Sequence, residues 1–104
     1  MEEGEKCEPT YDLAQIQRLA KAKRYVVLSG ARTGLFLLRW DEDDMVDCIL
    51  GLGRSDFYKS MPSKQAPGTF QDVYRPTYLE VKLYVKLQLN TEARAVIIQF
   101  KGRH

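Results

Sequence analysis

Between residues 55 and 76 the chain reads SDFYKSMPSKQAPGTFQDVYRP, which crowds Phe57, Tyr58, Lys59, Met61, Lys64, Phe70, Gln71, Tyr74 and Arg75 into two short extended pieces around a loop with Pro62, Pro67 and Gly68. Rings at that density can stack nucleobases while the cations beside them meet phosphates, which is what holding a single-stranded nucleic acid requires. The same rings would equally serve a core. A second set stands further on, where Lys82, Tyr84 and Lys86 alternate with apolar residues and therefore point the same way. Tyrosine between two lysines is either a base platform flanked by phosphate clamps or an exposed strand that uses Lys to discourage edge pairing.

Groups of this kind can also cut RNA, because RNA carries its own nucleophile. The 2′-OH attacks the adjacent phosphate once one group draws off its proton, a second neutralises the oxyanion and a third protonates the leaving 5′-oxygen. Crowded Lys, Arg and Tyr can divide these tasks, since neighbouring cations lower a lysine or tyrosine pKa toward the working range. Mechanisms that need a placed imidazole are disfavoured, the single histidine being the last residue, His104. The chain has no GxSxG elbow, no GxxxxGK[ST] loop and no GxGxxG fingerprint. GLGRS at 51–55 follows a helical pattern instead of opening one and reads as its cap. The acidic run Asp41, Glu42, Asp43 and Asp44 has the composition of a hard-cation site, but consecutive helical positions splay around the axis. Its expected place is a helix start, and neither a metal nor a cofactor is expected.

The elements that must position these groups follow from periodicity. Residues 1–8, MEEGEKCE, carry no pattern and are expected to form a flexible leader. Thr10 is the expected cap of a helix over residues 11–22, with Leu13, Ile16, Leu19 and Ala20 at helical spacing. Residues 25–29 form a short strand or an extended connector. The run Leu35, Phe36, Leu37, Leu38 has no decisive period, and a short buried helix over residues 30–40, weakened by Gly34, is the expectation. Asp41 caps a third helix reaching residue 52, with Met45, Cys48, Ile49 and Leu52 on one face and Gly51 and Gly53 as its stop. From residue 78 the period becomes two: Leu79, Val81, Leu83, Val85, Leu87 and Leu89 form the core face of a long strand. A turn at residues 90–92 leads into a return strand over residues 93–101 and a basic tail. Three helices followed by about four antiparallel strands predict a single α+β domain over residues 1–104, with the helices packed on a sheet built in the C-terminal half.

A chain of 104 residues can bury a core without staples, and 44% hydrophobic residues exclude a disordered chain. Cys7 and Cys48 sit in dissimilar settings that match neither a disulfide framework nor zinc-site spacing. The start is acidic and no apolar run approaches the roughly 20 residues of a membrane span, so the expectation is a soluble cytoplasmic protein with free thiols and no membrane contact. Charge is uneven: residues 1–52 carry 7 Lys/Arg against 10 Asp/Glu, and residues 53–104 carry 9 against 4. The basic half is the one that holds the aromatic stretch, which favours a polyanion there.

DFYKSM at 56–61, QDVYRP at 71–76, a strand containing VKLYVKL and a last strand ending in FK closely resemble the motility quorum-sensing regulator (MqsR) toxins of bacterial toxin–antitoxin systems. The resemblance runs from about Tyr11 to Lys101 and is densest after Met45. It implies a RelE-like fold and a ribosome-independent mRNA interferase that prefers GCU-type sites and needs no metal. The implied partners are mRNA and a cognate antitoxin protein, with DNA reached only through that antitoxin. Position by position it implies catalytic roles for Lys59, Gln71, Tyr84 and Lys101, with Tyr58, Met61 and Arg75 lining the site; Lys82 and Lys86, read from the strand's alternation, are the further RNA-binding candidates. Lys59 or Lys101 would stabilise the phosphate, and Tyr84 would serve acid/base work or base stacking. Phe70 stands where the family has Trp, and the loop at 62–69 matches poorly. A member that binds RNA or its antitoxin without cutting is the alternative reading.

Overall fold

In the computed structural model, which describes residues 4–103, the first helix, α1 (Leu13–Lys21), opens at Asp12 and not at Thr10. Asp12 accepts from the Ala14 amide at 3.2 Å. The Thr10 hydroxyl is engaged elsewhere, in a 2.7 Å hydrogen bond with the Ser60 hydroxyl, while Thr10 and Tyr11 donate their backbone N–H groups to the Asp72 carboxylate at 3.0 and 2.9 Å. The cap moves two residues along because this stretch ties the chain to the sheet.

A three-residue strand, β1 (Tyr25–Val27), leads into α2 (Ser29–Leu38), which runs without a break through Gly34. A Cβ at Gly34 would lie 1.8 Å from the Phe100 carbonyl oxygen, so the glycine is what lets this helix lie directly on the sheet. Helix α3 (Glu42–Leu50) begins with a capping box: Asp41 accepts from the Asp44 amide at 2.9 Å and Asp44 from the Asp41 amide at 3.0 Å. The acidic run therefore works on its own backbone, where the helix dipole favours it. At the far end Gln17 of α1 donates to the Ile49, Leu50 and Leu52 carbonyls at 3.1, 3.2 and 3.0 Å, satisfying groups that the helix end leaves unpaired.

The remaining strands are β2 (Phe57–Pro62), β3 (Phe70–Tyr74), β4 (Thr77–Tyr78), β5 (Val81–Leu89) and β6 (Ala95–Gly102). They form one sheet in the order β1-β6-β5-β3-β2, with β4 folded back on β5. Neighbours are antiparallel except β1, which joins β6 in parallel; β1 and the short β4 together extend the expected four strands to six among the described residues. The architecture is α+β, with Ile16, Ala20, Ala31, Leu35, Met45 and Ile49 of the helices packed on Tyr74, Leu83, Val85, Leu87, Ile97 and Phe100 of the sheet.

The long alternating strand is shorter than its pattern. Leu79 and Glu80 take φ of 50° and 66° in the tight turn between β4 and β5, and Leu79 is 62% exposed instead of in the core. The alternation breaks at this turn, where Tyr78 and Val81, paired across it, both pack against the core. No helix among the described residues is long and apolar enough to cross a membrane. The segment at 1–8 lies partly outside the described residues. Within the rest of it, Lys6 exchanges two backbone hydrogen bonds with Ser60, at 2.8 and 3.0 Å, along the edge of β2.

Candidate active site

One face of the sheet carries the helices, and strand alternation turns the intervening residues to the other. Register pairs Lys59 with Val73, Val73 with Lys86 and Lys86 with Gln99, making one row across four strands. Tyr84 opposite Lys101 lies beside that row on one side, and Met61 opposite Gln71 lies on the other. The four residues expected to act, Lys59, Gln71, Tyr84 and Lys101, therefore come from four strands onto one open face.

The cations gather around rings. Lys101 and Lys86 place their ammonium groups 5.4 and 5.8 Å from the centre of the Tyr84 ring, and Lys59 lies 5.3 Å from that of Tyr58. Arg75 stacks its guanidinium on the other ring at 4.6 Å, leaving Tyr58 half exposed between two cations. Tyr58 reaches this position because a register shift between Phe57 and Lys59 interrupts the pairing of β2 with β3. Gln71 and Lys86 line a cleft of about 290 Å³ together with Met61, Ser63, Lys64 and Gln99. The Gln71 amide donates to the Ser63 hydroxyl at 3.4 Å, a long bond that leaves the amide available to a ligand.

Lys82 stands apart from this gathering. It lines a separate groove with Leu37, Leu38, Glu80 and Arg103, to which Lys101 also contributes. Phe70 stands apart as well: it shares its strand face with Asp72 and Tyr74, lies under the Lys6 ammonium at 4.1 Å and accepts from the Tyr11 hydroxyl through its carbonyl. Its ring points away from the open face, so replacing an indole there removes no donor from the site.

Electrostatics divides the lysines. Burial, then the charges of Lys101, Lys59 and Lys64, holds the Lys86 amine below its ordinary 10.5. Lys59 moves the other way, raised chiefly by a 2.6 Å hydrogen bond to the Glu5 carboxylate. The Tyr84 hydroxyl is also raised, because desolvation outweighs the lowering by Lys59. Burial first and cation crowding second thus lower Lys86, whereas Lys59 and Tyr84 are both raised, so the expected lowering by neighbouring cations falls on Lys86 and not on these two. Glu5 was missed in the sequence because it sits in a segment without periodicity, and only its alternation with Lys6, once Lys6 pairs with Ser60, turns it to this face.

Residues 8–102 match the family described as motility quorum-sensing regulator, toxin of MqsA. The mRNA interferase toxin MqsR of Escherichia coli (strain K12) is 34% identical over 99 residues, covering 95% of this chain and 99% of that protein.

Proposed function

Because this chain belongs to the motility quorum-sensing regulator toxin family, we propose that it is an endoribonuclease toxin that cleaves mRNA, at GCU-like sites, by 2′-OH attack. The observation that carries the reading is the meeting of Lys59, Gln71, Tyr84, Lys86 and Lys101 on one open sheet face. Lys59 and Lys101 act as ammonium groups on the scissile phosphate, where preorganised charge lowers the barrier. Lys86, whose amine is held below its ordinary value by burial and neighbouring cations, draws off the 2′-OH proton, and Tyr84, whose hydroxyl is raised by desolvation, gives one to the leaving 5′-oxygen. The bond from the 2′-oxygen to phosphorus forms as that to the 5′-oxygen breaks, leaving a 2′,3′-cyclic phosphate. Gln71 addresses a base or phosphate from the adjoining cleft, and Tyr58 with Arg75 stacks a flanking base. The partners of this reading are mRNA and a cognate antitoxin in the cytoplasm.

The test uses a GCU-containing RNA in EDTA. Cutting at one step with a 2′,3′-cyclic phosphate end, abolished by a single 2′-deoxy substitution there, is the expected result. Binding without cutting would establish a non-catalytic member instead.

A further inference from the structure

The carboxylate of Glu5 reaches the open face from outside the residues that match the family, 8–102. It lies 2.6 Å from the Lys59 ammonium, and the two side chains are 6% and 19% exposed. A carboxylate beside a phosphate-binding lysine opposes polyanion binding, so its presence there needs a reason. One would be a strap that plugs the site, but residues 4–6 are built into the sheet edge. Lys6 exchanges both backbone bonds with Ser60 and stacks its ammonium on Phe70, Gly4 takes a φ of +86° against Pro62, and Thr10 and Tyr11 are held by Asp72. These ties make residues 4–6 an added edge piece of the sheet that delivers a carboxylate at a fixed position.

We propose that Glu5 is a positioning residue of this site, holding the Lys59 ammonium in one place, directed at the scissile phosphate beside Tyr84. A lysine on its four-carbon stem is otherwise a mobile point charge, and a short charge-assisted hydrogen bond removes that freedom. The charged and titratable groups facing Lys59 are Glu5 from the edge segment, Tyr58 on β2 and Tyr84 and Lys86 on β5. Glu5 alone among them favours the ammonium by direct hydrogen bonding, while Lys86 opposes it. With Glu5 in place the two lysines of one row differ: Lys59 is pinned by a carboxylate, and Lys86 has none among the described residues. The inference rests on the nuclease reading of the open face.

Glu5→Gln keeps the side chain's size and removes its charge. The expected result is single-turnover cleavage slower by tenfold or more, unchanged or tighter binding of the same RNA carrying 2′-deoxy at the cleavage step, and partial recovery in Glu5→Asp. The Lys59 amine, followed by NMR of its Cε and Nζ in protein without RNA, should titrate at lower pH in Glu5→Gln. Cleavage by Glu5→Gln at or above the wild-type rate would overturn the proposal, as would an unchanged Lys59 titration. The nuclease reading fails separately: full cleavage by Lys59→Ala would remove it while leaving the Glu5–Lys59 coupling measurable in the NMR titration.

Discussion

In the proposed mechanism Lys86 serves chemistry at the expense of the fold. Its amine is held below 10.5 by burial and by three neighbouring lysines, so the folded protein carries fewer protons at this position than the unfolded chain between that lowered value and 10.5. Stability at this position therefore improves as pH rises through that window, and the full penalty applies below it. Lys59 tilts the other way: its raised pKa contributes stability that is complete below 10.5 and is lost as pH climbs through the higher folded value. Replacing Lys86 with Met, similar in length and uncharged, should lower single-turnover RNA cleavage about 100-fold or more. It should also raise the thermal midpoint, by about 4–8 °C if the relief is near 1 kcal/mol. Urea titrations at stepped alkaline pH give the check, since the variant should lose the rise in stability that wild type shows. A variant both less stable and fully active would remove Lys86 from the proton-transfer role. The residues of this face were legible in the sequence where type and alternation coincide, as in Lys82, Tyr84 and Lys86. Register was not legible, and register is what brings Lys86 into a row with Lys59 and leaves Lys82 in another groove.

Elements were legible where one local pattern decided them. Asp41 and the apolar spacing of Met45, Cys48 and Ile49 fix α3, and alternation fixes most of β5. What escaped is non-local: the parallel pairing of Tyr25–Val27 with β6, the Thr10 hydroxyl diverted to Ser60, and a leader segment that docks on β2 through one bridge. Gly34 belongs in this class, because locally it weakens a helix by about 1 kcal/mol and in the structure it is what permits the packing of α2 on β6. A Cβ there would meet the Phe100 carbonyl oxygen at 1.8 Å and the Lys101 Cβ at 3.2 Å, and backbone cannot step aside as a side-chain tip can. Gly34→Ala should therefore destabilise the protein by about 3 kcal/mol or more, although helix propensity alone predicts a gain. Because the strand that must yield carries Lys101, the folded fraction should also cleave more slowly than wild type. Denaturant midpoints together with rates normalised to folded protein test both parts, and an unchanged midpoint would show that α2 rides higher on the sheet than described.

Over the whole molecule, charge and layering coincide. Among the described residues the acidic first half supplies the three α-helices and the basic second half five of the six strands, so the open face presents Lys59, Lys64, Lys86, Lys101 and Arg75 away from the acidic cap of α3. A net charge of only +2 would draw RNA weakly from a distance, but a polarised molecule presents its basic face to a polyanion. If three or four of these cations neutralise phosphates, the logarithm of the binding constant for a 2′-deoxy-blocked RNA should fall with the logarithm of salt concentration at a slope of about −2 to −3. Lys101→Ala should flatten that slope by about 0.7, the share of one phosphate on a single strand. Glu5→Gln should leave it nearly unchanged, since Lys59 keeps its charge at neutral pH with or without a carboxylate beside it. Lys82→Ala separates the two grooves: a loss equal to that of Lys101 would extend the RNA path over the groove beside α2, and no loss would confine it to the Lys59–Lys86–Gln99 row. A slope near zero in wild type would mean that the open face holds its ligand by stacking alone, and the phosphate roles given to Lys59 and Lys101 would fall with it.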